Sequence, residues 1–233
     1  MADREVALIV GAGSGLSASL ARRLAGEGVQ VALVARDVGK LDALAGETKA
    51  RVYECDAAIE AAVERLFAAV TADLGEPDLV IYNASARTRG PIVELDADAV
   101  RSAILVSCYA GFLVAREAAR QMTARGNGAI FFTGASASVK GYANSSAFAM
   151  GKFGLRGLCQ SLARELQPRN IHVAHFVIDG GILQGPDDAR AAGRGPDGML
   201  HPDAIADTYL AVWRQHRSAW TWEVELRPWV EKF

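Results

Sequence analysis

Val6-Ala7-Leu8-Ile9-Val10-Gly11-Ala12-Gly13-Ser14-Gly15-Leu16-Ser17 is the stretch whose reading decides the fold. Five apolar residues in a row predict a strand buried on both faces, and three glycines at alternate positions then turn the chain. Past the turn, Leu16, Leu20 and Leu24 recur every fourth residue, the spacing of one apolar helix stripe. Such a strand, turn and helix make an anion site. Backbone without side chains approaches a phosphate closely, and the helix start offers free N–H groups and the positive end of its dipole. Leu16 stands where the last glycine of a G-x-G-x-x-G run would be, so the spacing alone also suits a glycine turn in some other α/β protein. With strand and helix both in place, the expectation is nucleotide binding, with Gly11, Ser14, Gly15 and Leu16 against the phosphates.

A length of 233 residues suits one domain (1–233) with a large core, and 51% apolar with 22% charged residues is ordinary for a globular protein. A net charge of −2 offers no cationic surface for nucleic acid or an anionic membrane. Cys55, Cys108 and Cys159 are widely spaced and odd in number. They give no disulfide framework and no C-x-x-C pair, which suits a reducing, cytoplasmic setting. Asp3, Arg4 and Glu5 precede a first apolar run too short for a signal peptide. The longest apolar stretch, 104–115, contains Ser107 and Tyr109 and reads as too short to span a bilayer.

Further buried strands are expected at 29–35, 51–56, 79–83, 129–133 and 173–178, with helices at 59–73, 98–125 and 146–167. Strands apolar throughout and alternating with helices indicate an α/β, doubly wound parallel sheet of about seven strands, covered on both faces. In helix 98–125, Val100, Ile104, Cys108 and Phe112 form one apolar stripe, and Leu105, Tyr109 and Leu113 a second. A helix lying on a sheet needs only one. The second stripe either faces another subunit, in a homodimer or homotetramer built through helices 98–125 and 146–167, or lies buried within one subunit. Glycines, Pro186 and Pro196 crowd residues 179–200, a mobile loop long enough to act as a lid. Pro202 opens a helix carrying Ile205, Tyr209 and Val212. Trp220, Trp222, Val224 and Leu226 then alternate with polar residues, predicting a last strand with one buried face that Pro228 ends. His172 and His175 point to opposite faces of a strand, and His201 and His216 lack spaced partners, so no metal site is expected.

The order of these elements and motifs resembles the short-chain dehydrogenase/reductase family over nearly the whole chain. Gly11, Gly15 and Ser17 stand at its Gly-x-x-x-Gly-x-Gly signature, and Asn83-Ala84-Ser85 at its Asn-Ala-Gly. Phe148-Ala149-Met150-Gly151-Lys152 stands at its Tyr-x-x-x-Lys, and Asp179-Gly180 at its Pro-Gly. The resemblance implies a Rossmann-type fold and a dinucleotide held by Gly11, Asp56, Asn83, Lys152 and Ile182, with Asp56 at the adenine. It also implies redox chemistry on a small-molecule substrate.

The family's chemistry uses a tyrosine that passes a proton, a lysine that lowers its pKa and holds the nicotinamide ribose, a serine on the substrate and an asparagine in a water relay. Here the tyrosine position is Phe148, the serine position falls on Ala135, and the asparagine position on Cys108. Lys152 remains, although a surface lysine beside a core phenylalanine would read the same way. A positioned general acid contributes about 10²–10⁴ in rate. The expected substrate is therefore one needing less proton help, an imine or enone as well as a carbonyl, or the proton comes from Ser136 or Tyr142, with Ser138 and Cys108 behind them.

Cofactor identity has its own argument. A carboxylate ending the second strand would select NAD by holding both ribose hydroxyls. That position is Ala35, followed by Arg36, whose guanidinium can fork onto a 2′-phosphate. The competing reading of Arg36 is a solvated loop cation. The expectation is an NADP(H)-dependent oxidoreductase, NADP(H) favoured over NAD(H). The alternative is a nucleotide-binding protein without turnover, a sensor or inactive partner subunit.

Overall fold

The structure is a computed structural model that describes residues 4–185 and 187–231. Seven strands form one sheet: β1 (Val6–Val10), β2 (Gln30–Ala35), β3 (Arg51–Glu54), β4 (Leu79–Tyr82), β5 (Gly128–Thr133), β6 (Ile171–Ile178) and β7 (Glu223–Leu226). Their order is 3-2-1-4-5-6-7 and every neighbouring pair is parallel. Alternation along β1 explains the layering. Ala7 and Ile9 face one core with α1 (Leu16–Gly26), α2 (Asp42–Thr48) and α7 (Pro202–Trp213). Val6, Leu8 and Val10 face the other, with α3 (Glu60–Leu74), α5 (Ala110–Arg125) and α6 (Ser146–Leu166). The chain crosses from β1 to β2 on one side and returns to β4 on the other. The resulting crevice lies at the carboxyl ends of these strands, where open α/β sheets bind ligands.

The expected elements are present, with differences that have physical causes. β6 begins two residues before the expected 173, because Ile171 and His172 already pair with Gly128 and Ala129. α2 had no clear periodic signal; its seven residues bury Leu44 alone. The predicted helix 98–125 is α4 (Ala97–Ile104), a wider π-type turn at Leu105–Tyr109, and α5. That turn shifts the phase of α5, so Leu113 is fully buried while Phe112 is 40% exposed. The two stripes therefore regroup: Leu105, Tyr109 and Phe112 face outward, near exposed Met150 and Phe153 of α6. The continuous run Ala97–Arg125 is also long and apolar enough to cross a bilayer, contrary to the reading of 104–115 as too short; Leu113, Val114 and Ala118 bury its inner face on the sheet.

The final strand is shorter than expected. Val224 and Leu226 pack with the α1/α7 core, but Trp222 lies in a bend and packs against the opposite core, so the period of two does not extend to it. Trp220 stacks on His172 at 4.7 Å. Segment 179–200 is tied down at its neck: Ile182 bridges Leu200, Leu183 N–H donates to the Leu200 carbonyl at 2.9 Å, and Arg190 pairs with Asp188 at 2.6 Å. Pro186, within the expected lid, lies outside the described residues.

Candidate active site

At the carboxyl end of β1, Gly11 has φ +89°, and a Cβ there would lie 2.4 Å from the Ala84 backbone nitrogen. Only glycine fits both the left-handed backbone and that approach. The N–H groups of Gly11 and Ala12 donate to the Val34 carbonyl at 3.0 and 2.8 Å, fixing the turn. Ser17, in place of a glycine, is buried; its Oγ donates to the Gly11 carbonyl at 3.1 Å and accepts from Asn83 Nδ2 at 2.7 Å. Asn83 thus ties the end of β4 to the turn. The first turn of α1 has no side-chain cap and no acidic residue, so its N–H groups remain available to an anion. Ser14 is exposed on the turn, whereas the Leu16 side chain is buried in the core and only its backbone could meet a phosphate.

From this turn an open groove of about 800 Å³ runs past Arg36, Lys40, Asp56 and Asn83. Arg36 and Lys40 are both exposed at its outer end. Lys40 escaped the sequence reading because it lies in a short 3-10 turn with no motif around it. Asp37 accepts the Gly39 N–H at 3.2 Å within its own loop. Asp56 accepts from the Ala58 N–H at 3.0 Å, which presents the Asp56 loop to the groove.

Toward the sheet centre, Lys152 is 2% exposed and its Nζ donates to the Thr133 carbonyl at 2.7 Å. An ammonium carries three donors, so this bond leaves capacity for a ribose. Burial, and next to it the charge of Arg87, push its pKa down to about 7. Uncapped helix N–H groups, two exposed cations on the groove and a buried lysine are the groups here that could hold a dinucleotide.

The structure brings Ala135, Ala137 and Phe148 together in a small apolar cluster. The two positions read as serine and tyrosine sites are thus in one patch without a hydroxyl. Ser138 is buried, and its Oγ accepts the Ala135 N–H at 3.1 Å, so it serves its own turn. Ser136 is half-buried, and Tyr142 is 49% exposed in the loop before α6. Neither shares the Thr133 carbonyl with Lys152.

The polar group buried on the long helix is Ser107, not Cys108. Its Oγ accepts the Ala86 N–H at 3.0 Å and donates to the Ala86 carbonyl at 3.1 Å. Cys108 faces Gly154 of α6, where an added Cβ would lie 2.8 Å from its Sγ. The Tyr82 hydroxyl donates to the Val106 carbonyl, a group that the π-type turn frees from the helix ladder. Sequence spacing could not reveal this, because the turn itself changes the spacing. His175, buried on the α6 side of β6, meets Glu223 at 3.1 Å, and Arg156 forks onto the same carboxylate at 2.6 and 2.8 Å. Burial pushes His175 down to about 4, so it is neutral at pH 7. Ile182, beside the Leu200 bridge, accepts through its carbonyl from Arg190 at 2.8 Å. Buried Asp179 holds Lys140 at 3.0 Å and Arg227 at 3.2 Å, anchoring the start of segment 179–200.

The family model for short chain dehydrogenases matches residues 5–183. The 3-oxoacyl-[acyl-carrier-protein] reductase MabA of Mycobacterium tuberculosis is 30% identical over 75% of this chain and 68% of its own. A crystal structure of a short-chain dehydrogenase from Rhodopseudomonas palustris superposes with a TM-score of 0.84 at 37% identity, covering 97% of this chain and 99% of that one. A metagenomic short-chain oxidoreductase crystallised with NADP gives 0.84 at 28% identity, covering 97% and 98%. The seven-stranded parallel sheet, the glycine turn and these matches agree: the chain belongs to the short-chain dehydrogenase/reductase family, whose members are NAD(P)-dependent oxidoreductases.

Proposed function

We propose that the protein is an NADP(H)-dependent reductase of a small carbonyl, imine or enone compound that works without a tyrosine proton donor. The observation that carries this reading is the pair Arg36 and Lys40 on the groove beside the glycine turn, together with Lys152 buried on the Thr133 carbonyl. Two cations at the outer end match a 2′-phosphate, and Asp37, engaged with Gly39, is not positioned as a competing ribose acceptor. Bound nicotinamide supplies a hydride. Gly11, the free end of α1 and Asn83 would orient the dinucleotide, Asp56 would meet the adenine, and Lys152 would hold the nicotinamide ribose. Phe148 and Ala135 exclude water beside the reacting carbon but move no proton. Lys152, with its pKa lowered to about 7, can hold or release a proton at Nζ near neutrality.

A second reading, nucleotide binding without turnover, draws on the apolar Ala135–Phe148 patch. Outward Leu105, Tyr109, Phe112, Met150 and Phe153 support pairing of subunits through the long helices. The deciding experiment monitors NADPH oxidation against matched ketones, imines and enones. The reductase reading expects consumption with at least one class, imines or enones ahead of ketones. NADPH binding with no consumption by any class would favour the second reading.

A further inference from the structure

Arg87 lies in the loop after β4, and its guanidinium carbon sits 4.0 Å from the centre of the Phe148 ring. That is cation–π distance, and among the described residues no acceptor meets the guanidinium N–H donors. A full positive charge therefore covers the ring at the position where the family places its proton donor, one helical turn from Lys152. Arginines elsewhere are matched to carboxylates: Arg22 with Glu47, Arg156 with Glu223, Arg214 with Glu5. Among the described residues no hydrogen bond or ion pair to a carboxylate involves Arg87 or Arg89. Arg190, from segment 179–200, adds its charge from above, partly met by Asp188. Burial lowers the Arg87 pKa first, and the like charges of Arg89 and Arg190 lower it further, with no carboxylate opposing them.

An arginine held over an apolar ring with no carboxylate partner among the described residues makes a site for an anion, because an unmatched positive charge attracts the opposite one and a bound anion relieves the repulsion from Arg89 and Arg190. The planar fork of a guanidinium fits the two oxygens of a carboxylate better than a tetrahedral group. We propose that the substrate carries a carboxylate beside its reducible centre and that Arg87, seated over the Phe148 ring, forks onto it. This rests on the reductase reading and names the substrate class for it.

Benzoate is a suitable probe, since its carboxylate suits Arg87 and its methyl ester keeps the ring while removing the charge. Binding of benzoate, methyl benzoate and phenyl phosphate is measured by calorimetry on protein saturated with NADPH and again without it. Benzoate is expected to bind at least about tenfold more tightly than its methyl ester, the scale of one charge-assisted pair. Arg87→Met should abolish that difference, measured at NADPH saturation re-established for the variant, and Arg87→Lys should retain part of it. Equal binding of acid and ester, or a preference that survives Arg87→Met, would overturn the proposal. Tighter binding of phenyl phosphate would overturn the carboxylate assignment. Failure of NADPH to bind would defeat the reductase reading alone, because acid and ester are still compared on the free protein.

Discussion

Phe148 and Ala135 share one small apolar cluster, with no hydroxyl at either position. Restoring only one would leave a buried O–H short of a partner, a cost of roughly 1–3 kcal/mol. Phe148→Tyr with Ala135→Ser should therefore raise ketone reduction by about tenfold or more, within the range a positioned acid supplies. Phe148→Tyr alone should gain less. Steady-state kcat/KM with NADPH checks this; a double variant no faster than wild type would show that Arg87 over the ring, or the missing relay, sets the rate instead. At this scale Gly11, Arg36 and Asn83, chosen from local motifs, line the groove, and Lys152 lies buried on the Thr133 carbonyl. Lys40 was not readable because it sits in a short turn with no motif around it, and Arg87 because its neighbour Phe148 is distant in sequence and brought close by the fold.

The long helix shows what periodicity misses. One π-type turn at Leu105–Tyr109 rotates the faces after it, exchanging Phe112 and Leu113 between surface and core. The turn is held from outside the helix, by the Tyr82 hydroxyl on the Val106 carbonyl and by Ser107 on both polar groups of Ala86. Ser107→Ala would strand the buried Ala86 N–H and carbonyl. The expected cost is roughly 1–3 kcal/mol, measured as a lower urea midpoint with unchanged slope. The loop it holds carries Arg87, so NADPH affinity should change less than stability. An unaltered urea midpoint would mean that the turn does not depend on this bond. The glycine-rich segment likewise differs from a plain loop: its sequence lacks periodicity, but a strand bridge and the Asp188–Arg190 pair give it a closed neck.

Across the whole molecule, the parallel sheet covered on both faces follows from the alternation of apolar strands with helices and was legible in the sequence, whereas the strand order came from the structure. The outer surface was less so, because which apolar residues remain exposed depends on helix phase. Leu105, Tyr109, Phe112, Met150 and Phe153 together exceed what scattered surface apolar residues require, and the proposed pairing with a second copy would bury them. Tyr109→Arg combined with Phe153→Asp should shift the protein toward monomer in sedimentation velocity, with the far-ultraviolet circular dichroism retained. An unchanged sedimentation coefficient would remove that face from the assembly.

The account depends most on a dinucleotide lying between Arg36 and Lys152. Calorimetric titration of NADPH and NADH into wild type and Arg36→Asp tests it directly. We expect NADPH to bind about tenfold or more tightly than NADH in the wild type, from the charge-assisted bonds to the 2′-phosphate, and the variant to lose or invert that preference. Absence of binding by either nucleotide at saturating concentration, or equal affinities untouched by Arg36→Asp, would contradict it.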